Sequence, residues 1–281
     1  MPTESLQEAI GRPGMSRNQK LLFFLTAWLI CLMPFLFWWN TWFGRKLSDQ
    51  QLNEYLHDAR KPRHIQQALV QVGERITRHD ASAKRWYPEL VQLAGDPVEE
   101  VRNTDAWVMG QDPAGAGFHE TLLKMLQDSS PMVRGNAALS LVRFGDAAGR
   151  PQIVELLQPA HVTSALAGRI VDSDRPGTSI HQGGLIAKLQ SGQQTVEIRS
   201  PIPGRIRSVA GTGADLAAGA EIAVVEPSTE QVWEALRALY LIGQADDLPA
   251  VLPYERDLPD ISDDVRRQGF ETEKAIRERT K

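Results

Sequence analysis

The side chains best suited to metal binding or acid–base chemistry are scattered along the chain. The six histidines are His57, His64, His79, His119, His161 and His181. None belongs to an HExxH pair or to another pair with the spacing of metal ligands. His119 and Glu120 are adjacent at a predicted helix start, so their side chains leave the helix on different faces. The chain has one cysteine, which excludes an intrachain disulfide framework and a multi-cysteine zinc or iron–sulfur site. We therefore predict no metal centre.

Patterns typical of catalysis or nucleotide binding are also missing from the sequence. It contains no GxSxG nucleophile motif, no Walker phosphate loop and no dinucleotide fingerprint. Gly211-Thr-Gly213 falls in a predicted β turn, and Glu99-Glu100 and Asp246-Asp247 fall on predicted exposed turns or helix faces. We predict that the protein is not an enzyme, and that it has no catalytic residue, cofactor or small-molecule substrate.

The overall charge narrows the class of partner. The 281 residues carry a formal net charge of −4, and the isoelectric point is about 5.9. A domain held to nucleic acid by a general basic surface usually has a value above about 9, so we predict no nucleic-acid partner. The mean hydropathy of −0.30 is that of a soluble protein, but this average conceals one strongly apolar segment.

That apolar segment follows an N-terminal tail over residues 1–20. Residues 21–43 contain no charged side chain, and a helix of that length would span about 34 Å, enough for a hydrocarbon core of about 30 Å. Trp38, Trp39 and Trp42 crowd one end, where indole rings favour the membrane interface. The run is longer and bulkier than a cleaved signal peptide. We predict a single-pass transmembrane helix in a bacterial inner membrane. Basic residues flank the run on both sides and leave the side of the soluble part undetermined.

Helical periodicity extends over residues 48–161. Two stretches in it, 86–110 and 118–145, repeat the order helix, turn, helix, and their Val-Arg pairs lie 32 residues apart. In each stretch an Asp precedes a Pro, Pro97 or Pro131, that fits the first turn of the second helix. The positions that we expect to be structural in this repeat, including two helix ends, are Asp96, Arg102, Asp128, Arg134, Gly145 and Gly243.

These stretches resemble HEAT repeats, including the HEAT-like type found in phycobilisome lyases. The residues that carry the resemblance are Leu122, Leu123, Leu126, Asp128, Pro131, Val133, Arg134, Ala137, Ala138, Leu141 and Gly145. Asp105 departs from the pattern, because a small residue is expected where Ala137 stands. The resemblance implies an α-solenoid in which Asp and Arg side chains link adjacent repeats, and whose surface binds protein partners.

Residues 162–227 have a different pattern, with short apolar runs between turn signals that predict strands. The segment repeats itself at an offset of 36 without a gap, so that Leu166–Ile170 matches Ile202–Ile206. Glycines recur at the same offset and suit tight turns with a positive φ. These predicted turn positions are Gly168, Gly177, Gly183, Gly204, Gly213 and Gly219.

The two similar halves resemble the barrel-sandwich hybrid of biotinyl and lipoyl carrier domains, a unit that also occurs in periplasmic membrane fusion adaptors. The stretch TVEIRSPIPGRI at 195–206 resembles the carrier pattern that follows the modified lysine. The resemblance places that lysine at Gln193, whose amide cannot form the linkage that an amine forms. Lys188 falls within the preceding strand. The resemblance therefore implies an all-β barrel without biotin or lipoate.

Residues 228–281 are predicted to form the end of the helical array and a C-terminal helix. The helix predicted over 230–243 matches the end of the last complete repeat at an offset of 98, whereas an ordinary step is 32. The difference equals the 66 residues of 162–227, so we expect the barrel to interrupt one repeat. The predicted fold class is mainly α: a HEAT-like α-solenoid with an inserted all-β barrel-sandwich hybrid and an N-terminal transmembrane helix.

Three functions are compatible with this organisation. The first is a membrane-anchored scaffold or adaptor that binds protein partners in a membrane complex through the helical surface and the barrel. The second is an adaptor of an efflux or secretion complex, although the long helical hairpins common in such adaptors are missing. The third is a prosthetic-group carrier or a lyase-like enzyme subunit, which rests on the resemblance alone.

Overall fold

The computed structural model describes residues 17–40 and 46–281. The chain forms two compact units, Met1–Ser48 and Asp49–Lys281. The helices that follow residue 48 and all of the strands belong to the second unit, so the predicted helical and all-β segments share one compact body.

In the first unit, helix α1 covers Arg17–Asn40 and exposes large apolar side chains such as Phe24 and Trp28. No helix within the described residues has the length and apolar character that crossing a membrane requires. Part of the predicted span, residues 41–43 with Trp42, lies outside the described residues. The same holds for the side chains of Trp38 and Trp39.

The second unit is built mainly from short helices that pack in antiparallel pairs. The helices are α2 (Asp49–Leu56), α3 (Pro62–Thr77), α4 (Tyr87–Leu93), α5 (Glu99–Met109), α6 (Phe118–Met125), α7 (Pro131–Arg143), α8 (Arg150–Glu155), α9 (Thr229–Ile242), α10 (Leu248–Val251) and α11 (Asp263–Arg279). Short 3-10 helices cover Ala81–Trp86, Ala245–Asp247 and Leu252–Glu255. Helices α3, α5, α7, α9 and α11 pack side by side in that order, because each contributes an apolar face that must be buried. The core between them includes the fully buried Leu69, Val108, Leu141 and Leu239.

The two prolines expected at helix starts behave differently. Pro131 is the first residue of α7, and the Ser130 hydroxyl caps that helix by accepting the Val133 N–H. Helix α5 begins only at Glu99, two residues after Pro97, so the expectation for Pro97 was wrong. There the Asp96 carboxylate accepts the Val98 N–H at 2.8 Å and closes the turn before the helix.

Eight strands lie between α8 and α9. They are β1 (Ala160–Thr163), β2 (Gly168–Ser173), β3 (Ser179–Ile180), β4 (Leu185–Ser191), β5 (Gln194–Arg199), β6 (Gly204–Val209), β7 (Asp215–Leu216) and β8 (Glu221–Pro227). They form two antiparallel sheets with the orders β1-β8-β6-β3 and β5-β4-β2-β7. Shifting every strand by four positions converts one order into the other, so the two halves of this β insertion (residues 160–227) are related by an approximate two-fold axis.

The sequence offset of 36 recurs in the packing of the β insertion. Ile170 and Ile206 occupy equivalent positions in β2 and β6, are fully buried, and each precedes a register shift in its strand pairing. Leu189 and Val225, opposite them on β4 and β8, are likewise buried. Both halves therefore contribute the same layers to one shared core.

The β insertion is a sandwich of two open antiparallel sheets, with no closed barrel in the described range; that it is a barrel-sandwich hybrid stays a prediction. No strand pairing joins the edges of the two sheets anywhere in the described range 46–281. The edge strands β3 and β7 have only two residues each, which leaves too few backbone hydrogen bonds to bridge the sheets.

The chain leaves the helical array and returns to it at one place. Strand β1 pairs antiparallel with β8, with Ala160 opposite Val225, so both ends of the insertion lie side by side. Helices α8 and α9 pack on each other across this junction, where the Gln231 side chain donates to the Leu156 carbonyl at 2.9 Å. The reading of α8 and α9 as halves of one interrupted repeat stays a prediction.

Candidate protein-interaction surface

A groove of about 720 Å³ crosses one face of the helical array. It is lined by the parallel helices α5, α7 and α9 and by α11, and we call it the helical groove. Side chains that line it include Trp107, Leu139, Arg143, Arg237 and Leu241. Each comes from a different turn of a helix whose opposite face is buried, so the array itself brings them together.

The walls of the helical groove carry large apolar side chains that face solvent. Trp107 on α5 is 41% exposed, and on α9 Tyr240 is 44% and Leu241 62% exposed. The Arg237 guanidinium lies 4.6 Å from the ring centre of Trp233, also on α9. Trp, Tyr and Arg are the residue types that dominate binding energy at protein interfaces, and clustered exposed apolar groups mark such interfaces.

Polar contacts lock the helices beneath the groove. The Asn136 amide on α7 donates to the Asn103 side-chain oxygen on α5 at 2.7 Å. One turn further, the Ser140 hydroxyl donates to the Ala106 carbonyl at 2.8 Å. A Cβ atom on Gly110 would lie only 2.3 Å from the Ser140 oxygen, so these helices approach each other closely. The groove is therefore preformed, which lowers the entropy cost of binding a partner.

Two of the predicted Asp and Arg positions join neighbouring repeats. Arg102 makes a two-pronged ion pair with Asp128 of the next repeat, at 2.7 and 2.8 Å, and their side chains are only 13% and 11% exposed. Arg102 also donates to the carbonyl of Asp96, and Arg134 donates in the same way to that of Asp128. These side chains are therefore engaged in contacts within the array.

Electrostatics support this linkage. Burial acts to raise the pKa of Asp128, but the hydrogen bonds from Arg102 and from the Ser130 backbone outweigh it and hold that pKa below its usual value. The same pair raises the pKa of Arg102. Both partners are therefore charged at neutral pH.

The series of Asp–Arg links ends where the β insertion begins. One step of 32 beyond Asp128 is Ala160, the first residue of β1, so Arg134 meets no Asp there. It pairs instead with Glu155 on α8 at 2.5 Å. Arg150 on the same helix reaches Asp247, 3.1 Å from each of its carboxylate oxygens, and ties α8 to the segment that follows α9.

Asp105 is fully buried on α5. Neither of its carboxyl oxygens has a hydrogen-bond partner among the described residues. Burial first, and then the negative charge of Asp96, raises the pKa of Asp105 well above its usual value. Among the described residues no basic side chain is hydrogen-bonded to this carboxyl.

A second depression, the insertion cleft, separates the first sheet of the β insertion from the segment 253–265 and has a volume of about 1310 Å³. Arg205 on β6 spans it with an ion pair to Asp260 at 2.9 Å. At its base the Tyr254 hydroxyl donates to the Leu157 carbonyl at 2.6 Å, and burial, with Glu226 nearby, raises the pKa of Tyr254 to about 12.

Contacts with the helices fix the orientation of the β insertion. Met132, at the start of α7, packs against its core. Gln182, before β4, donates a hydrogen bond to Glu99 at the start of α5. The Ser228 N–H donates to the Pro203 carbonyl at 3.1 Å. The insertion is therefore held against the ends of two repeat helices.

Gln193 lies at the tip of the β4–β5 hairpin, where Ser191 pairs with Gln194 across a two-residue turn. Lys188 lies within β4, opposite Glu197 on β5. The one amine of the β insertion is thus on a strand, and the tip carries an amide.

The glycines that recur at equivalent positions of the repeats have different structural roles. The residues among them with positive φ are Gly145, Gly177, Gly183, Gly213 and Gly219. Gly168 and Gly204 are the first residues of β2 and β6 and have no positive φ, so the turn role expected of them was wrong. A Cβ atom on Gly204 would lie 1.8 Å from the Glu226 carbonyl oxygen, so close strand packing requires glycine there. Gly243 caps α9 by donating to the Leu239 carbonyl.

Several histidines pair with carboxylates. Those pairs are His64 with Asp58 at 2.9 Å, His119 with Asp146 at 2.7 Å and His161 with Glu221 at 2.5 Å. They belong to three separate parts of the fold. Across residues 17–40 and 46–281, no group of three or more His, Cys, Asp or Glu side chains is arranged to hold a metal ion.

The groove residues Trp107 and Leu241 were not singled out in the sequence. Trp107 interrupts the polar face of a helix whose other apolar residues are buried, and Leu241 stands beside the exposed Tyr240 on α9, which was the available signal. What the sequence could not supply is that residues 134 positions apart line one groove.

Comparison with known families finds HEAT repeats over residues 87–167. This range covers α4 to α8 and strand β1, and it confirms the predicted HEAT character of the helices. No curated protein matches the chain.

Two solved structures show limited similarity. A single-chain, multi-domain long-chain acyl-CoA carboxylase is 18% identical over 35% of this chain, with a TM-score of 0.24. The match spans only 10% of the carboxylase. An engineered protein is 15% identical over 81% of this chain and 78% of its own, with a TM-score of 0.39. Similarity this weak supports no conclusion on fold or function.

Proposed function

We propose that the chain is a membrane-anchored, non-enzymatic scaffold that binds a protein partner in the helical groove. The observation that carries this proposal is the exposure of Trp107, Tyr240 and Leu241 along a groove whose helices are already locked together. HEAT repeats generally act as protein-binding surfaces, and the matched range includes the α5 and α7 walls.

The membrane part of the proposal is supported by the uncharged run 21–43 and by the exposed apolar side chains of α1. An exposed surface of this kind is costly in water and favourable in lipid. We place the protein in a bacterial inner membrane with a single span. The β insertion then offers a second docking face through the insertion cleft.

The test is partner capture from native membranes by the full chain. A double variant, Trp107→Ala with Leu241→Ala, removes the two apolar walls, and we expect at least a tenfold loss of the partner captured by the wild type. Each side chain is exposed, so the melting temperature should stay within a few degrees of the wild type.

The matched control is Phe270→Ala, which removes an aromatic side chain of similar exposure on α11 that does not line the groove. It should retain the partner. Equal recovery by the groove variant and the wild type, or loss only in the Phe270 control, would contradict the proposed surface.

A further inference from the structure

The segment that follows the apolar run differs in charge from the longer segment beyond it. Residues 46–86 contain eight basic and five acidic side chains, a net charge of +3. Residues 87–281 contain 19 basic and 28 acidic side chains, a net charge of −9. The segment that follows the apolar run is therefore basic, whereas residues 87–281 are acidic.

Three of these eight basic residues lie at the turn between α2 and α3. Arg60, Lys61 and Arg63 are all exposed there. Lys61 is the N-cap of α3 and makes no side-chain capping bond, and the first turn of that helix has no acidic residue. Cations at a helix N-terminus oppose the helix dipole, so these side chains work against the stability of α3.

Two other helices of the chain, α5 and α11, follow the opposite rule. The first turn of α5 carries Glu99 and Glu100, and that of α11 carries Asp263 and Asp264. Both helices place acids where the dipole favours them. The first turn of α3 lacks such an acid, and an anion from outside the fold would be stabilised there by the helix dipole and by the basic side chains.

The nearest acid in the turn is already engaged. The Asp58 carboxylate accepts a hydrogen bond from His64 at 2.9 Å, and the His64 ring stacks on Tyr55 with ring centres 4.1 Å apart. The Asp58 carboxylate is therefore directed toward His64, and it makes no ion pair with Arg60 or Lys61.

We propose that the α2–α3 turn binds the surface of an anionic lipid bilayer. Arg60 follows Phe43, the last residue of the apolar run, by 17 positions, so the chain keeps the turn within reach of lipid headgroups. Guanidinium and ammonium groups bind phosphate, and short basic segments next to a membrane anchor are attracted by anionic lipids. The net charge of −9 beyond residue 86 is repelled by the same surface. This inference rests on the proposed anchor.

A lipid surface fits the turn better than nucleic acid does. A nucleic-acid site would need a longer basic stripe, and the acidic body that follows the turn would repel a long polyanion. A tether to the bilayer also gives the headgroups a high local concentration, which suits a patch of only three cations.

The experiment uses the full chain in nanodiscs of phosphatidylcholine alone or with about one third phosphatidylglycerol. Cys31→Ser removes the native thiol, and Ala59→Cys places a fluorophore on the exposed turn. Headgroup-labelled quencher lipids report contact. We expect at least twofold stronger quenching in the anionic discs, and loss of that difference in 0.5 M salt. We expect the same loss in the variant Arg60→Gln, Lys61→Gln, Arg63→Gln.

The charge-matched control is Arg267→Gln, Lys274→Gln, Arg277→Gln on α11, which should keep the lipid dependence. Equal quenching in the two kinds of disc, or equal loss in the control variant, would overturn the proposal. Release of the chain from membranes by alkaline carbonate would instead show that the anchor is wrong. The turn is then tested by flotation with vesicles of the same compositions: flotation only with anionic vesicles and only with the basic turn supports it, and absence of flotation overturns it.

Discussion

Asp105 is a polar residue in a place where the repeat pattern calls for a small apolar one. It lies fully buried on α5, at the position that Ala137 occupies on α7, and neither carboxyl oxygen is hydrogen-bonded among the described residues. An unsatisfied buried polar group costs about 1–3 kcal/mol. Asp105 therefore lowers the stability of the array, and no hydrogen bond among the described residues offsets this loss.

Replacing Asp105 by Ala should raise the free energy of unfolding by about 1–3 kcal/mol at pH 7. The change restores the residue type of the next repeat and leaves only a small cavity. Urea denaturation followed by circular dichroism measures the difference. The matched control is Asp246→Ala, which removes an exposed carboxylate and should change stability by no more than about 0.5 kcal/mol. A less stable Asp105→Ala variant would contradict this account.

The same residue gives stability a dependence on pH. Because burial raises the pKa of Asp105, the folded chain keeps a proton that the unfolded chain releases above about pH 4. Its contribution to stability is therefore greatest in acid and falls as the pH rises through the raised pKa. We expect Asp105→Ala to gain more stability over the wild type at pH 8 than at pH 5.

The Arg102–Asp128 pair makes the opposite contribution. Asp128→Asn keeps an oxygen for the Ser130 N–H but removes the charge, and should cost about 1.5–3 kcal/mol at pH 7. Because the pKa of Asp128 is lowered, this stabilisation is present at neutral pH and is lost as the pH falls below about 4.

The matched control for that pair is Asp215→Asn. Arg169 and Asp215 in the β insertion have the same two-pronged geometry, at 2.8 and 2.7 Å, but their side chains are 62% and 69% exposed. Solvent screens such a pair, so its loss should have little effect. Equal effects of the two substitutions on the urea midpoint would show that burial is not what gives the Arg102–Asp128 link its strength.

The repeated spacing of Asp and Arg was visible in the sequence, and so was the departure at Asp105. The ion-pair partners of these residues could be predicted only in part. Asp96 and Asp128 could be matched to arginines by spacing, but Arg134 bonds to Glu155 because Ala160 stands where the next Asp would be. The change of partner from Asp to Glu155 becomes apparent only when the repeats are superposed in three dimensions.

Among the elements, the β insertion is the one whose removal is most informative. Its ends meet at the β1–β8 pair, and α8 and α9 already pack on each other beside it. Replacing residues 160–227 by a four-residue Gly-Ser linker should keep the helical array folded. We expect the helical circular dichroism signal to persist. The melting temperature should fall by no more than about 5 °C, because the deletion removes only a few contacts with the helices, such as those made by Met132 and Glu99.

The comparison for that deletion is Leu141→Asp, which places a charge in the fully buried core of the array and should abolish cooperative unfolding. A deletion variant that also lacks a cooperative helical transition would mean that the helices depend on the insertion for folding.

The sequence predicted the positions of the helices and strands well wherever a repeat was present. The offset of 36 predicted equivalent strands, because equal spacing of buried residues requires equal strand lengths. Closure of the sheets was not predictable, since it depends on whether edge strands such as β3 and β7 reach across the gap. The start of α5 was missed because Asp96 closes the turn that Pro97 was expected to begin.

At the scale of the whole molecule, HEAT character follows from local repeats, but the helical groove does not. Trp107 and Leu241 come from helices on either side of the β insertion, and each taken alone is an ordinary exposed residue. Only the side-by-side order of α5, α7 and α9 makes them a surface. Binding surfaces of solenoids are therefore harder to predict from sequence than the solenoids themselves.

The side-by-side ends of the β insertion also have an entropic consequence for the array. A folded insertion holds its two ends together, so α8 and α9 can dock as if joined by a short loop. An unfolded segment over 160–227 would make the same contact close a long flexible loop, at an extra cost of about 2.5 kcal/mol relative to a four-residue linker. Folding of the insertion and docking of the helices that follow it are thus coupled through chain entropy, even where their side chains do not touch.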